Sequence, residues 1–452
     1  MEKIKLSEIT ILFKSNNKNA KGLVTGVSID SRTIKKGDIF FAITGENYDA
    51  NDFVDSAISK GAVAVVSEKT NSKCKKLGIT NIIVKDTVKA LQDFSKYYKG
   101  KFQTKVIGIT GSNGKTTTKD ILASIISQKH TVLSTQGNLN NHLGLPLTLL
   151  NLNRKHKYCV LEMGANHKGE IARLCEIAEP SYGIITNIGL SHIGNFGSME
   201  NIVKAKMELF NFLNKNNYAF INNDDKRIVL AAKRLKCKKV TFGIKNKADV
   251  MASNIILKED KTIFNIFIKG ISESVKMPVC GTFNVYNALA AASCAISLNI
   301  NENNIISGIE NFKPQKKRME VVHIGNGIVL VNDSYNANPI SMKNAIDNFS
   351  KIFYNKRKYL VLGDMLELGT HEKEEHRKLG AYIAKNKLAD IICAVGDLSK
   401  EIINISGGFW FKDKNKLSEY LKQNLKKGDA VFFKASRRIG LEEVVEKLVH
   451  SQ

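Results

Sequence analysis

The sequence predicts an α/β protein built on mostly parallel sheet, and three observations carry that expectation. Compact apolar runs bounded by Gly, Asn or Asp alternate with amphipathic segments, the order in which parallel βαβ units are written. One such run, Val106, Ile107 and Ile109, opens onto a glycine-punctuated turn, after which Ile121, Leu122, Ile125 and Ile126 recur at helical spacing. At 452 residues the chain is long enough for two to four cores. Basic, polar stretches near Lys99–Thr104 and Lys313–Arg318 mark two boundaries, giving three α/β domains at 1–103, 104–314 and 315–452.

In the first domain Val63–Val66 and Ile82–Val84 predict short strands, with a helix over Asp52–Lys60. The second begins with the glycine turn and continues through Tyr158–Met163, Tyr182–Ile188 and Tyr218–Ile221, apolar runs of the kind that lie buried on both faces. Between 238 and 279 the pattern changes, and the alternation in Thr262–Ile268 predicts a local antiparallel excursion. The third alternates again, with strands at Ile328–Asn332, Lys358–Leu362, Asp390–Val395 and Ala430–Lys434, a second βαβ layer. No internal repeat or low-complexity tail interrupts the pattern.

Composition narrows the function. Lys and Arg number 68 against 43 Asp and Glu, a net charge of +25. The basic clusters at 73–76, 233–239 and 316–318 alternate with apolar and neutral residues, and no aromatic residues interleave with them as stacking platforms would require. The charge therefore suits attraction of anionic small substrates better than nucleic acid. MEKIKLSEIT has no apolar h-region, so no signal peptide is expected, and the apolar stretch around Ala288–Leu298 is too short to cross a bilayer. Seven scattered cysteines without a CxxC pair fit reduced thiols. The expectation is a soluble, cytoplasmic protein.

The stretch TKVIGITGSNGKTTTKD (104–120) carries the strongest chemical signal. Strand, glycine loop, lysine, hydroxyl and helix in that order form a phosphate-binding loop. Backbone N–H groups converge on the anion, the helix N-terminus adds partial positive charge, and glycines remove side chains that would block close approach. Gly111, Ser112, Asn113, Gly114, Thr116 and Thr117 are the expected nucleotide contacts. Lys115 would reach the β and γ phosphates and the Thr116 hydroxyl would ligate Mg²⁺. Ile109 stands where the longer P-loop pattern has its first glycine, so the pattern is the shorter Gly111-x-x-Gly114-Lys115-Thr116. The ligand expected is ATP or a close relative.

Other residues are less decided by sequence. Glu162 ends a predicted buried strand, where an α/β sheet places an acid near nucleotide-bound Mg²⁺, and it is also placed to cap the following helix. The metal reading is the better of the two. His192 lies in the Gly/Asn/Ser-rich loop NIGLSHIGNFGS, and a lone histidine there is more often structural than a ligand. Lys206, in VKAKMELF, falls near the buried face marked by Val203, Met207 and Phe210, where a lysine can also simply snorkel. NDSYNANP (332–339) can hold a base or ribose, and such strings also serve as turns. The string HEKEEH is not a zinc motif, because His371 and His376 are five residues apart, about 140° out of alignment on a helix.

Taken together these segments resemble the Mur ligases, the ATP-dependent amide ligases of peptidoglycan precursor assembly, over essentially the whole chain. The resemblance rests on VSIDSRTIKKGDIFFAITGENYDA, TGSNGKTTTK, GNLNNHLGLPLTLL, LEMGANHKGEI, SHIGNFGSMENIVKAKMELF, NVYNALAA, NDSYNANPISM, LGDMLELG with the following His376, and KASR. YNANP and GDMLELG point to the branch that adds D-alanyl-D-alanine to a UDP-N-acetylmuramoyl-tripeptide. The resemblance implies three domains, a UDP-substrate domain, a central ATP domain and a C-terminal Rossmann-like domain taking the dipeptide. It implies Glu162 and His192 as Mg²⁺ ligands, Lys206 as a carbamylated lysine bridging to a second Mg²⁺, and Lys115, Lys206 and His192 as the catalytic set. Asn287, Asn336 and Asn338 would contact adenine and ribose, Ser31 and Arg32 the UDP moiety, and Lys434, Ser436 and Arg437 the incoming substrate. It further implies an acyl-phosphate intermediate and a monomer. Phe283 and Ala435 depart from the family pattern, standing where histidine and glycine are usual.

Overall fold

The computed structural model describes residues 1–15, 20–45 and 49–450. Contacts divide the chain into two compact units, one of residues 1–108, 130–164 and 170–181, the other of 109–129, 165–169 and 182–452.

In the first unit the strands Gly26–Ser28, Asp38–Phe41, Ala64–Ser67 and Thr80–Ile83 form a parallel sheet in that order. Asp38–Phe41 is buried throughout, as a central parallel strand must be, and Phe40 and Val65 pack with Val54, Ala57 and Cys74 in one apolar cluster. The expected helix at 52–60 is a 3₁₀ turn, Ala50–Phe53, running into the helix Val54–Ser59. Asp49 starts it by accepting a hydrogen bond from Asn51 N at 2.9 Å. The long helix Thr87–Lys99 follows, capped by Asp86. A second parallel pair, Val132–Ser134 with Tyr158–Glu162, carries Glu162 at its carboxyl end.

In the second unit Tyr182–Ile185, Tyr218–Asn222, Lys238–Gly243 and Val250–Leu257 are consecutive parallel neighbours. Thr262–Ile268 and Ile271–Met277 then add the antiparallel excursion that the alternation at 262–268 predicted. The strand expected to reach Ile188 stops at Ile185. Beyond it the chain turns to serve side chains: Ile188 N donates to Asp225 Oδ2 at 2.7 Å and Gly189 N to Ser112 Oγ at 2.9 Å. The helix Thr282–Ser297 is buried along most of its length, which explains its apolar run without any membrane. No helix among the described residues is long and apolar enough to cross a membrane.

The C-terminal sheet of this unit runs Glu320–Ile324, Ile328–Asn332, Ala430–Lys434, Lys358–Gly363, Ile391–Val395, Phe409–Phe411. The first pair is antiparallel and the rest are parallel. Because the last long strand, Ala430–Lys434, inserts between the first two parallel ones, the carboxyl ends of Ile328–Asn332 and Lys358–Gly363 are held apart at a topological switch point, where such sheets bind ligands. All seven cysteines are buried thiols outside any disulfide, and burial pushes the Cys159 and Cys393 thiols up to about 12.

Candidate active site

The strand Lys105–Thr110 ends in Gly111 and the loop closes at Gly114, the residue before the helix Lys115–Ser127. Gly111 has φ +148° and Gly114 φ +82°, and a side chain on either would strike a neighbour, Thr186 at the first and the Asn287 amide at the second. Gly114→Ala is therefore expected to destabilise the fold by about 1–3 kcal/mol and to weaken nucleotide binding, measured by thermal melting and by ADP titration.

The loop is pinned from beneath. Asn113 N donates to Asn187 Oδ1 (3.1 Å), while Asn113 O accepts from Thr186 Oγ1 (2.6 Å) and Asn187 Nδ2 (3.0 Å). Ser112 Oγ exchanges hydrogen bonds with Gly189 and contacts Ser191 Oγ at 3.0 Å. Lys115 Nζ folds back to Gly111 O at 2.8 Å, holding its charge over the loop. Asn287 is buried under the loop, within 3.3 Å of Thr118 Oγ1 and bonded to Asn284.

Two C-terminal segments of the same unit meet this loop and the start of its helix, and a third meets His192. Asn338 caps the helix Pro339–Ile352 and also makes a reciprocal amide pair with Asn113, donating at 2.7 Å. Arg318 Nη2 donates to Thr116 Oγ1 at 3.0 Å. Glu367 Oε2 sits 2.6 Å from His192 Nδ1, a contact in which the imidazole is not aligned as an ideal donor. This partner holds the Glu367 carboxyl below its usual range against the opposing effect of burial. His192 itself has φ +53°, a left-handed conformation that costs a β-carbon-bearing residue energy.

Lys206 resolves the choice between a buried and a snorkelling lysine. It is 3% exposed on the helix Met199–Phe212. Burial, aided by the positive charge of Lys115, pushes its pKa down to about 7. A neutral amine in the interior is thus available near physiological pH.

In the first unit, Glu162 is 4% exposed and accepts from Asn140 Nδ2 at 2.7 Å through Oε1. Its Oε2 is buried with no hydrogen-bond partner among the described residues, a costly state that a cation would relieve. The Glu162 carboxylate is by its chemistry a ligand for a hard, oxygen-seeking ion. Ser31 is buried and its carbonyl accepts from Lys60 Nζ at 3.0 Å. Arg32 is held against Asp30, with Nη2 to Oδ2 at 2.7 Å, and these contacts lower the Asp30 pKa to about 2.

At the carboxyl ends of the C-terminal sheet, Lys434 Nζ is buried against Asp333 and donates to Asn336 O at 2.9 Å. Ser436 Oγ accepts from Leu366 N at 2.9 Å. Ala435 has an ordinary backbone, since it is absent from the described residues with positive φ, and its methyl sits against side-chain-free Gly363. His376 is a structural member: Met365 N donates to its Nε2 at 2.9 Å, its Nδ1 lies 2.6 Å from Glu372 O, and burial lowers its pKa.

Two functional candidates are absent from the sequence-level set. Arg318 was legible only as part of a basic boundary stretch, and Glu367 only as a letter within GDMLELG. Both act through contacts made across more than 170 residues, so no local spacing announces them.

A parallel strand delivering a glycine loop, a lysine and a hydroxyl to a helix N-terminus defines a P-loop nucleotide-binding protein. More narrowly, the chain belongs to the Mur ligase family. Residues 23–99 match the model described as Mur ligase family, catalytic domain, residues 109–295 the Mur ligase middle domain, and residues 317–437 the Mur ligase, glutamate ligase domain. It is 36% identical over 446 residues to a UDP-N-acetylmuramoyl-tripeptide–D-alanyl-D-alanine ligase of Bacillus subtilis (strain 168), covering 97% of this chain and 96% of that protein. The protein of the same name from Escherichia coli (strain K12) is 34% identical over 453 residues, 99% of each chain. Among solved structures, MurF from Acinetobacter baumannii is 30% identical with a TM-score of 0.92 and full coverage of both chains. The MurF ligase from Thermotoga maritima in complex with ADP is 29% identical, with a TM-score of 0.85 over 94% of this chain and 97% of that one.

Proposed function

We propose that this chain is the ATP-dependent ligase that joins D-alanyl-D-alanine to UDP-N-acetylmuramoyl-tripeptide in peptidoglycan precursor synthesis. Full-length similarity to curated ligases of that name carries the reading. The γ-phosphoryl of ATP passes to the terminal carboxylate of the tripeptide, giving an acyl phosphate and ADP. The dipeptide amine then attacks the acyl carbon, and the tetrahedral intermediate collapses to the amide and inorganic phosphate.

Domain roles follow that chemistry: 1–103 takes the UDP moiety through Ser31 and Arg32, 104–314 takes ATP, and 315–452 takes the dipeptide. Gly111, Ser112, Asn113, Gly114, Thr116 and Thr117 cradle the phosphates, with Lys115 opposing the charge that develops on the transferring group. Asn287, Asn336 and Asn338 serve the adenosine end. Thr116, Glu162, His192 and Lys206, the last as a carbamate, are the proposed holders of two Mg²⁺ ions. When bound, these ions neutralise phosphoryl charge. The depressed pKa of Lys206 supports carbamylation, because only the neutral amine adds to CO₂. A monomeric, cytoplasmic enzyme with no nucleic-acid partner completes the reading.

The test is which amine donor stimulates phosphate release from ATP in the presence of the tripeptide substrate. D-alanyl-D-alanine should do so, and a diamino acid or glutamate should not. Stimulation by either of the latter instead would assign another branch of the family. Within the C-terminal domain, Arg437→Ala should raise KM for D-alanyl-D-alanine about tenfold or more while moving KM for ATP little, since a guanidinium suits the free carboxylate of the dipeptide. Equal effects on both substrates would relocate the dipeptide site.

A further inference from the structure

Between Arg437, the proposed dipeptide contact, and Thr116, at the nucleotide, stands an aromatic residue. Tyr335 lies in the loop after the strand Ile328–Asn332. The Arg318 guanidinium sits 4.0 Å from the centre of its ring, and the Arg437 guanidinium 4.9 Å from the same ring. Both are within cation–π range. Arg318 in turn holds Thr116 Oγ1 at 3.0 Å. The backbone repeats the tie, since Tyr335 N donates to Lys317 O at 3.1 Å.

Arg318 is delivered at a cost. Lys317 and Met319, on either side of it, have φ of +63° and +51°. Side-chain-bearing residues persist there only where their surroundings over-determine them. Those surroundings are specific: Lys317 N donates to Glu320 Oε2 (2.8 Å), Lys317 Nζ donates to Glu442 Oε1 (2.8 Å), and Met319 N donates to Asp333 Oδ1 (3.3 Å). Arg318 Nε is buried without a hydrogen-bond partner among the described residues, so the ring and Thr116 are what fix the guanidinium.

We propose that Tyr335 is a positioning residue that links the amine-donor subsite to the phosphate loop, its ring setting Arg437 at one end and Arg318, hence Thr116, at the other. The proposal rests on the dipeptide reading of Arg437. Seating the dipeptide carboxylate on Arg437 then firms the ring against Arg318 and, through Thr116, the nucleotide site, so that each ligand tightens the other. The linkage costs no new contact with either substrate.

The experiment measures Mg·ADP affinity by calorimetry, with and without saturating D-alanyl-D-alanine, and the dipeptide KM. The proteins are wild type, Tyr335→Leu, Tyr335→Phe, Arg318→Ala, Arg437→Ala and the two Leu/Ala double variants, all checked for a native melting transition. Tyr335→Leu should weaken ADP and raise the dipeptide KM about fivefold each, and the dipeptide should no longer tighten ADP. Tyr335→Phe, which keeps the ring, should restore both to within about twofold. Adding Tyr335→Leu to Arg318→Ala should change ADP affinity no further, and adding it to Arg437→Ala should change the dipeptide KM no further. Additive effects in both doubles, or undiminished tightening of ADP by dipeptide in Tyr335→Leu, would overturn the linkage. A normal dipeptide KM in Arg437→Ala alone would fault the dipeptide reading instead, and the Arg318 pair would still judge the ring.

Discussion

Lys115→Ala should leave a folded protein that no longer turns over ATP. The side chain is half-buried and its ammonium donates to the Gly111 carbonyl at 2.8 Å, so its removal deletes a charge at the loop rather than apolar core packing. Substitutions of that kind usually shift stability by under about 0.5 kcal/mol. The catalytic loss is of another order. A fixed charge aimed at the β and γ phosphates acts where negative charge shifts during transfer, and removing one such preorganised group costs about 10²–10³ in kcat. Phosphate release under saturating substrates, compared beside the melting curve, separates the two effects. Near-normal turnover in a folded Lys115→Ala protein would sink the phosphate-loop assignment.

Lys206→Ala should be nearly inactive as well, with partial rescue by formate or acetate. A short carboxylate can occupy the ligand position that the carbamate vacates, whereas a snorkelling lysine would show neither loss nor rescue. Assays with and without added acid at matched ionic strength decide it, and wild-type activity in the variant would reject the metal-bridging role. Stability gives a second, independent reading. The folded pKa of Lys206, about 7, lies below its ordinary 10.5, so over that window the unfolded chain binds the extra proton and stability falls as pH falls. In CO₂-free buffer, Lys206→Met should therefore gain more in Tm over wild type at pH 7 than at pH 10. A pH-independent difference would mean the amine is not buried in its charged form's disfavour.

Much of this was legible in the sequence, for identifiable reasons. Ala430–Lys434 and Ile328–Asn332 fall where the apolar runs placed them, because a strand buried on both faces admits little but apolar residues. The glycine loop was legible because backbone geometry at Gly111 and Gly114 excludes a side chain. The strands Gly26–Ser28, Lys238–Gly243 and Phe409–Phe411 were not, being short, polar or at a sheet edge, where periodicity has little to act on. The family resemblance gave Asn338 to adenine and ribose without showing that its amide caps a helix and pairs with Asn113, 225 residues away. Contacts of that separation are products of the fold, and residue spacing does not encode them.

The seven buried thiols make the protein its own reporter of local opening. Cys74, Cys159 and Cys175 lie in the first unit and Cys237, Cys280, Cys294 and Cys393 in the second, every one of them buried. An alkylating reagent can reach a buried thiol only when the structure around it opens, so the modification rate at each cysteine measures the free energy of that opening. Mass mapping after a reagent pulse would then show whether ATP or the dipeptide quiets one unit or both. No label need be introduced, because evolution has left a probe in each core.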